Sequence, residues 1–268
     1  MSETAGQDQS HVSLSGVVRN YEGPPVVHAL GPIDLQIRCG EFFSVVGPSG
    51  CGKSTLLDVL SGLVRPSSGT VCFEGKELHG EVPEGVGVVF QEDSSMRWLN
   101  VRQNVAFGLR TSSLSKKEIA ERVEHAIRFM GLVQFADHYP AQLSGGMRQR
   151  VCIARTLVLR PRLILLDEPF GALDQQTRLL MGDELLRLWG ETGATVVLIT
   201  HALDEAAMLS DRVGVMSARP GRFIDMVETG WPRDRDSRIV SDPNFGTLTA
   251  RLWSSLRAES LKIMGRVA

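Results

Sequence analysis

The stretch "GPSGCGKST", Gly47 to Thr55, constrains the fold more than any other part of the chain. It fits G-x-x-x-x-G-K-[ST] and stands between the apolar run "EFFSVV" and the helix-like "TLLDVLSGL". That order predicts a buried strand, a tight loop and a helix. Glycines let the loop backbone turn its N–H groups inward, and the new helix aims its positive end at the same point, so Gly47, Pro48, Ser49, Gly50, Cys51, Gly52, Lys53, Ser54 and Thr55 form a cradle for phosphate oxygens. Lys53 is expected to reach the terminal phosphates and Ser54 to ligate Mg²⁺. Cys51 occupies a variable position and reads as a small filler rather than a nucleophile.

The pattern around this loop is α/β. Upstream and just downstream, "HVSLSGVVRNY", "GPIDLQIRCG", "GTVCFEG" and "GVGVVF" are short β-prone runs bounded by Gly and Pro. From Ser115 a capping box with Glu118 opens an amphipathic helix bearing Ile119, Val123, Ile127 and Met130. Later, "RLILLDE", "ATVVLITH" and "RVGVMSA" are continuous apolar runs between helix-like stretches, as parallel strands buried on both faces require. Past "SARPGRF", the segment "WPRDRDSR" reads as a polar linker before a last helix with Phe245, Leu248, Leu252, Trp253 and Leu256 near one face. The expected boundaries are a disordered tip over 1–11, one domain over 12–230 with a helical part about 92–160, and a linker and helix over 231–268.

Composition narrows the class. With 268 residues, 43% hydrophobic content and a formal charge of −2, the chain can build a large core and has no bulk attraction for nucleic acid. Cys39, Cys51, Cys72 and Cys152 form no CxxC pair, which argues against a zinc site or a disulfide framework and suits a reducing compartment. No apolar run reaches the roughly 18–20 residues that span a bilayer. The opening "MSETAGQDQS" lacks the apolar centre and basic start of a signal peptide.

A phosphate cradle alone does not choose among nucleotide enzymes. "LILLDEP" adds Asp167 and Glu168 at the carboxyl end of a buried strand, where open α/β sheets bind ligands. Asp167 is expected to hold Mg²⁺ through its water shell, and Glu168 to polarise the attacking water as general base.

In this order the motifs resemble those of the ATP-binding cassette (ABC) ATPases, from Val12 to about Glu228. "GPSGCGKST" resembles the Walker A loop, "VVFQED" the Q-loop with Gln91, "LSGGMRQR" the signature with Ser144, Gly145, Gly146 and Gln149, "LILLDE" Walker B, "GALD" the D-loop with Asp174, and "LITHALDEA" the segment of the switch histidine, His201. The resemblance implies a P-loop NTPase core with an antiparallel β subdomain and a helical subdomain, ATP and Mg²⁺ as ligands, Gln91 and His201 as catalytic residues beside Glu168, Gln91 as a further Mg²⁺ contact, and Tyr21 as the aromatic that stacks on adenine.

Ser144 is a good N-cap for a helix placing Met147, Val151, Ala154 and Val158 on one face, so Ser-Gly-Gly makes a second anion site. Within one chain a second cradle for the same phosphate is redundant. The resemblance implies a head-to-tail dimer in which the signature of one copy closes over ATP held by the other, with Asp174 in the dimer interface.

Two roles stay open at this point. One is an importer ATPase on the cytoplasmic face of the membrane, docked on separate permease subunits and served indirectly by a solute-binding protein. The other is a soluble ABC ATPase acting on nucleic acid or the ribosome. One cassette without a coiled-coil insertion favours the importer. "VFQED", "WLNVRQNVAFGL" and the tryptophan-bearing tail helix resemble the nitrate, sulfonate and taurine importer group, although Arg97 stands where that group commonly has proline. Met96, Trp98 and Leu99 either help form the groove for a permease helix or, for Trp98, belong to the subdomain core.

Overall fold

A computed structural model describes residues 10–171 and 173–263. In chain order, β1 (Ser10–Tyr21), β2 (Val27–Arg38) and β3 (Phe42–Val46) lead into α1 (Lys53–Leu60), then β4 (Ser68–Phe73), β5 (Lys76–Glu77) and β6 (Val86–Val89). Three helices follow: α2 (Val101–Ala106), α3 (Lys116–Phe129) and α4 (Gly145–Leu157). The chain then alternates β7 (Leu163–Asp167), α5 (Gln175–Thr192), β8 (Thr195–Ile199), α6 (Leu203–Leu209) and β9 (Arg212–Met216), before β10 (Phe223–Glu228) and α7 (Pro243–Ile263).

The strands make two sheets. An antiparallel sheet runs β2-β1-β4-β5, and a six-stranded sheet runs β10-β9-β3-β8-β7-β6. In the larger sheet every pairing is parallel except β10 with β9. All residues of β3, β7 and β8 are buried, so side chains of both parities face packed layers. Phe42, Val46, Ile164, Leu166, Val196 and Leu198 turn into one core with the helices, while Phe43, Val45, Leu163, Leu165, Val197 and Ile199 join a second core with α1 and the antiparallel sheet. Parallel pairing has a functional consequence: the loops after β3, β6, β7 and β8 all emerge at one edge.

Local sequence accounts for the helical part. Ser115 and Glu118 box the start of α3, as the sequence implied, and Asn100 and Gln103 do the same for α2 without having been read from the sequence. The N-terminal tip departs from expectation: β1 begins at Ser10, and His11 is buried with its ring against Thr195 at 2.5 Å and Glu74 at 3.2 Å. The rest of the expected tip, 1–9, lies outside the described residues.

"WPRDRDSR" is also not a free linker. Trp231 donates its indole N–H to the Ala207 carbonyl at 2.8 Å, and Arg235, 5% exposed, pairs with Asp211 at 2.7 Å. The guanidinium groups of Arg233 and Arg235 lie 4.2 and 4.7 Å from the Trp189 ring centroid. A polar segment is thereby fastened by ion pairing and cation–π contact, neither of which an apolar pattern records. On α7, Phe245, Leu248, Leu252 and Leu256 are buried, whereas Trp253 is 52% exposed: it follows Leu252 by one residue, about 100° around the helix. No helix among the described residues is long and apolar enough to cross a membrane.

Candidate functional site

The loop after β3 folds as its glycines require. Gly52 has φ 114°, and a Cβ there would come within 2.7 Å of the Ala29 carbonyl oxygen. No side chain among the described residues caps α1, which leaves the first N–H groups of that helix for a ligand. Lys53 is buried, its ammonium donating to the carbonyls of Gly47 and Pro48 at 3.0 and 3.1 Å. Cys51 is fully buried and burial pushes its thiol up, as suits a filler. Ser49, Gly50 and Ser54 are exposed at the mouth, with Thr55 half-buried.

One brace of this loop escaped the sequence reading. Arg219, from the β9–β10 turn, donates twice to the Gly50 carbonyl, at 3.1 and 2.8 Å. The two residues are 169 positions apart, and no local pattern connects them.

Two strands away, β7 delivers Asp167. It is 7% exposed and has its Oδ1 buried without a hydrogen-bond partner among the described residues, with Ser54 nearby. Burial raises its carboxyl above the ordinary range, with the charges of Glu168 and Asp58 adding to the effect. A buried acid beside a hydroxyl, with an orphaned oxygen and neighbouring negative charge, fits a cation site. Ser54 and Asp167 therefore suit Mg²⁺.

Glu168 leaves the strand in the left-handed region, φ 46°, with its N–H bonded to the Ile199 carbonyl at 2.8 Å. This uncommon conformation for a glutamate turns the side chain away from the path of the strand. One carboxylate oxygen accepts from Gln91 Nε2 at 3.1 Å and lies 3.2 Å from His201 Nδ1. Residues 91, 168 and 201 follow three neighbouring strands, β6, β7 and β8, so parallel topology gathers groups that the sequence holds far apart.

Tyr21 ends β1, half-buried, with the Arg19 guanidinium 4.5 Å from its ring centroid. Arg19 and Asn20 pair with Leu30 and His28 of β2, and the Ala29 carbonyl between them is the group that a Cβ on Gly52 would meet.

The signature lies elsewhere. Ser144 caps α4 by accepting the Met147 N–H at 3.3 Å; Ser144 and Gly145 are exposed. A Cβ on Gly146 would meet Leu173 Cδ2 at 2.5 Å. No hydrogen bond among the described residues joins these three to the phosphate loop. Gln149 departs from the expected outward-facing set: it is buried and its amide points to the Phe90 carbonyl of its own chain at 3.4 Å. One turn into the helix, its side chain falls on the packed face. Asp174 caps α5, accepting from the Thr177 N–H at 3.0 Å and hydroxyl at 2.7 Å, bonds that hold its carboxyl below the usual range.

Trp98 is 74% exposed, which excludes the subdomain core; Leu99 beside it is buried. A cleft of about 1410 Å³ near His11, His125 and Glu191 contains none of these residues.

A phosphate loop, an acid pair on the next strand but one, and a polar trio at the edge of a parallel sheet define a P-loop nucleotide hydrolase. The family model described as ABC transporter matches residues 30–171, and the chain belongs to that family. A taurine import ATP-binding protein of Pelagibacter ubique is 41% identical over 244 residues, covering 90% of this chain and 92% of that one. A nitrate import ATP-binding protein of Synechococcus elongatus is 44% identical over 236 residues, 86% of this chain but 36% of the longer relative. A dimeric post-hydrolysis structure of an ATP-binding cassette bound to ADP and Pi is 31% identical, with a TM-score of 0.74, covering 82% of this chain and all of that one. The chain is accordingly an ATP hydrolase with an ABC cassette fold.

Proposed function

We propose that this cassette energises uptake of a small solute of the taurine, sulfonate or nitrate type, on the cytoplasmic face of the membrane, through separate permease subunits served by a solute-binding protein. The names of the taurine and nitrate relatives support import and its substrate class. Exposed Trp98, on the loop between Gln91 and α2, supports docking of a membrane partner there.

The observation that carries the hydrolytic reading is the meeting of Gln91, Glu168 and His201 on one carboxylate oxygen. Glu168 takes the proton of the attacking water; Gln91 orients that water; His201 holds Glu168 and the γ-phosphate region in register. Lys53 and the loop N–H groups bind the phosphates, and Tyr21 stacks on adenine. Ser54 and Asp167, with Gln91, would hold Mg²⁺, which neutralises phosphate charge when bound.

The second half of each site belongs to a second copy. Ser144, Gly145 and Gly146 present a helix N-terminus that no hydrogen bond among the described residues joins to the phosphate loop of their own chain, and a related cassette is dimeric. Two ATP molecules between head-to-tail copies give both signatures an anion, and the interface around Asp174 closes with them. Loss of the γ-phosphate contacts then reopens the pair; moving such an equilibrium from 1:99 to 99:1 takes about 5.5 kcal/mol.

Reconstitution with co-purifying membrane subunits and a solute-binding protein tests the function. Taurine, an alkanesulfonate or nitrate should raise ATP turnover. Stimulation by DNA or ribosomes instead would overturn the importer reading.

A further inference from the structure

Behind the catalytic carboxylate lies a second one that the mechanism above does not use. Glu205, in the first turn of α6, is 6% exposed and accepts a hydrogen bond from the Thr200 hydroxyl. The Thr200 oxygen in turn accepts the Ala202 N–H at 3.0 Å, and the Thr200 N–H is held by the Val45 carbonyl of β3 at 3.2 Å. His201 sits between these anchors. Its own side chain is 60% exposed, with Glu168 as its ion-pair partner.

Glu205 also has an open end. Its Oε1 is buried without a hydrogen-bond partner, and so is Nε of Arg178 on the adjoining α5, whose charge acts on Glu205. Arg178 donates to the Leu173 carbonyl at 3.1 Å, and Leu173 is the residue packed over Gly146 of the signature. Burial pushes the Glu205 carboxyl up, more than Thr200 and Arg178 offset. An acid in the first turn suits the helix dipole on a surface, but a buried one with an idle oxygen lowers stability.

We propose that Glu205 is a positioning residue for His201: through Thr200 it fixes the turn that aims the histidine at Glu168. The inference rests on Glu168 and His201 being the hydrolytic pair.

Single-turnover ATP hydrolysis and nucleotide affinity are measured for Glu205→Ala, Glu205→Gln, Thr200→Val, His201→Ala and the double variant Glu205→Ala/His201→Ala. Misplacing the histidine should lower the rate about 10- to 100-fold in Glu205→Ala and Thr200→Val, with nucleotide affinity within about twofold of wild type. Glu205→Gln keeps an acceptor for Thr200 but loses the charge of the carboxylate, so its rate falls between wild type and Glu205→Ala. In the His201→Ala background, Glu205→Ala should cost no more than about twofold further, because both act through one group. Wild-type rates in Glu205→Ala and Thr200→Val, or losses that multiply in the double variant, overturn the inference. Full turnover in His201→Ala would instead remove the hydrolytic reading itself, whatever Glu205 does.

Discussion

Glu168→Gln separates the acid–base step from everything else the site does. The substitution keeps the shape of a side chain whose backbone sits at φ 46°, so it adds no strain that the glutamate does not already carry. The amide oxygen can still accept from Gln91, now 3.1 Å from the carboxylate, and no hydrogen bond among the described residues joins Lys53 or the phosphate loop to residue 168. What disappears is the ability to take a proton. A positioned general base contributes about 10²- to 10⁴-fold, or roughly 3–5 kcal/mol of barrier. Turnover should fall by that factor while ATP affinity stays near wild type, and the uncleaved nucleotide should hold the pair closed. Phosphate release assays report the first effect, and gel filtration with ATP and Mg²⁺ the second. Turnover within about fivefold of wild type would refute Glu168 as the base, since even the low end of that range exceeds it. A purely monomeric profile would refute the ATP sandwich.

Other substitutions probe the remaining parts. Lys53→Ala removes the buried ammonium from the loop and should weaken nucleotide binding at least about tenfold, measured by equilibrium dialysis; unchanged affinity would contradict its phosphate role. Gly146→Asp brings a carboxylate to the partner's γ-phosphate, a repulsion of about 4 kcal/mol at about 4 Å with an effective dielectric of about 20, and should abolish ATP hydrolysis. Gly146→Ala is its steric control, because any Cβ there must displace Leu173; equal loss in both variants would remove the electrostatic explanation. Arg235→Met strips the partner from Asp211, which is 34% exposed, so water recovers part of the loss and the expected cost is about 2–3 kcal/mol. Thermal unfolding should show a drop of roughly 2–4 °C per kcal/mol, and an unchanged midpoint would count against the anchoring of the 231–235 segment.

The phosphate-loop turn and the helix caps were legible because each is short and tied to one backbone event. The phosphate loop needs glycine where φ is positive, and the Ser144 and Ser115 caps need a hydroxyl at a fixed offset from the helix. Side-chain direction was less legible. Gln149 and Trp253 were assigned by motif and by approximate helical face, and each turned out one step around the helix from its expected side. Trp98 could be core or surface from sequence, since an aromatic residue among polar neighbours satisfies both patterns. "WPRDRDSR" looked detached because its anchors, Ala207, Asp211 and Trp189, are 24 to 46 residues away from the residues they hold, and a window over the chain cannot see them.

The sequence by itself determined the local elements: which glycine-rich loop joins β3 to α1, which strand ends in the two acids, and which helix starts at Ser144 with two glycines behind it. These follow from local backbone demands that a few residues either meet or fail. Only the tertiary structure decided that Gln91, Glu168 and His201 share one oxygen, that Arg219 braces Gly50, and that Thr200 bridges Glu205 to the turn of His201. Those relations depend on strand order in the parallel sheet, and strand order is set by how two hydrophobic layers pack on its faces, a property of the whole chain rather than of any segment.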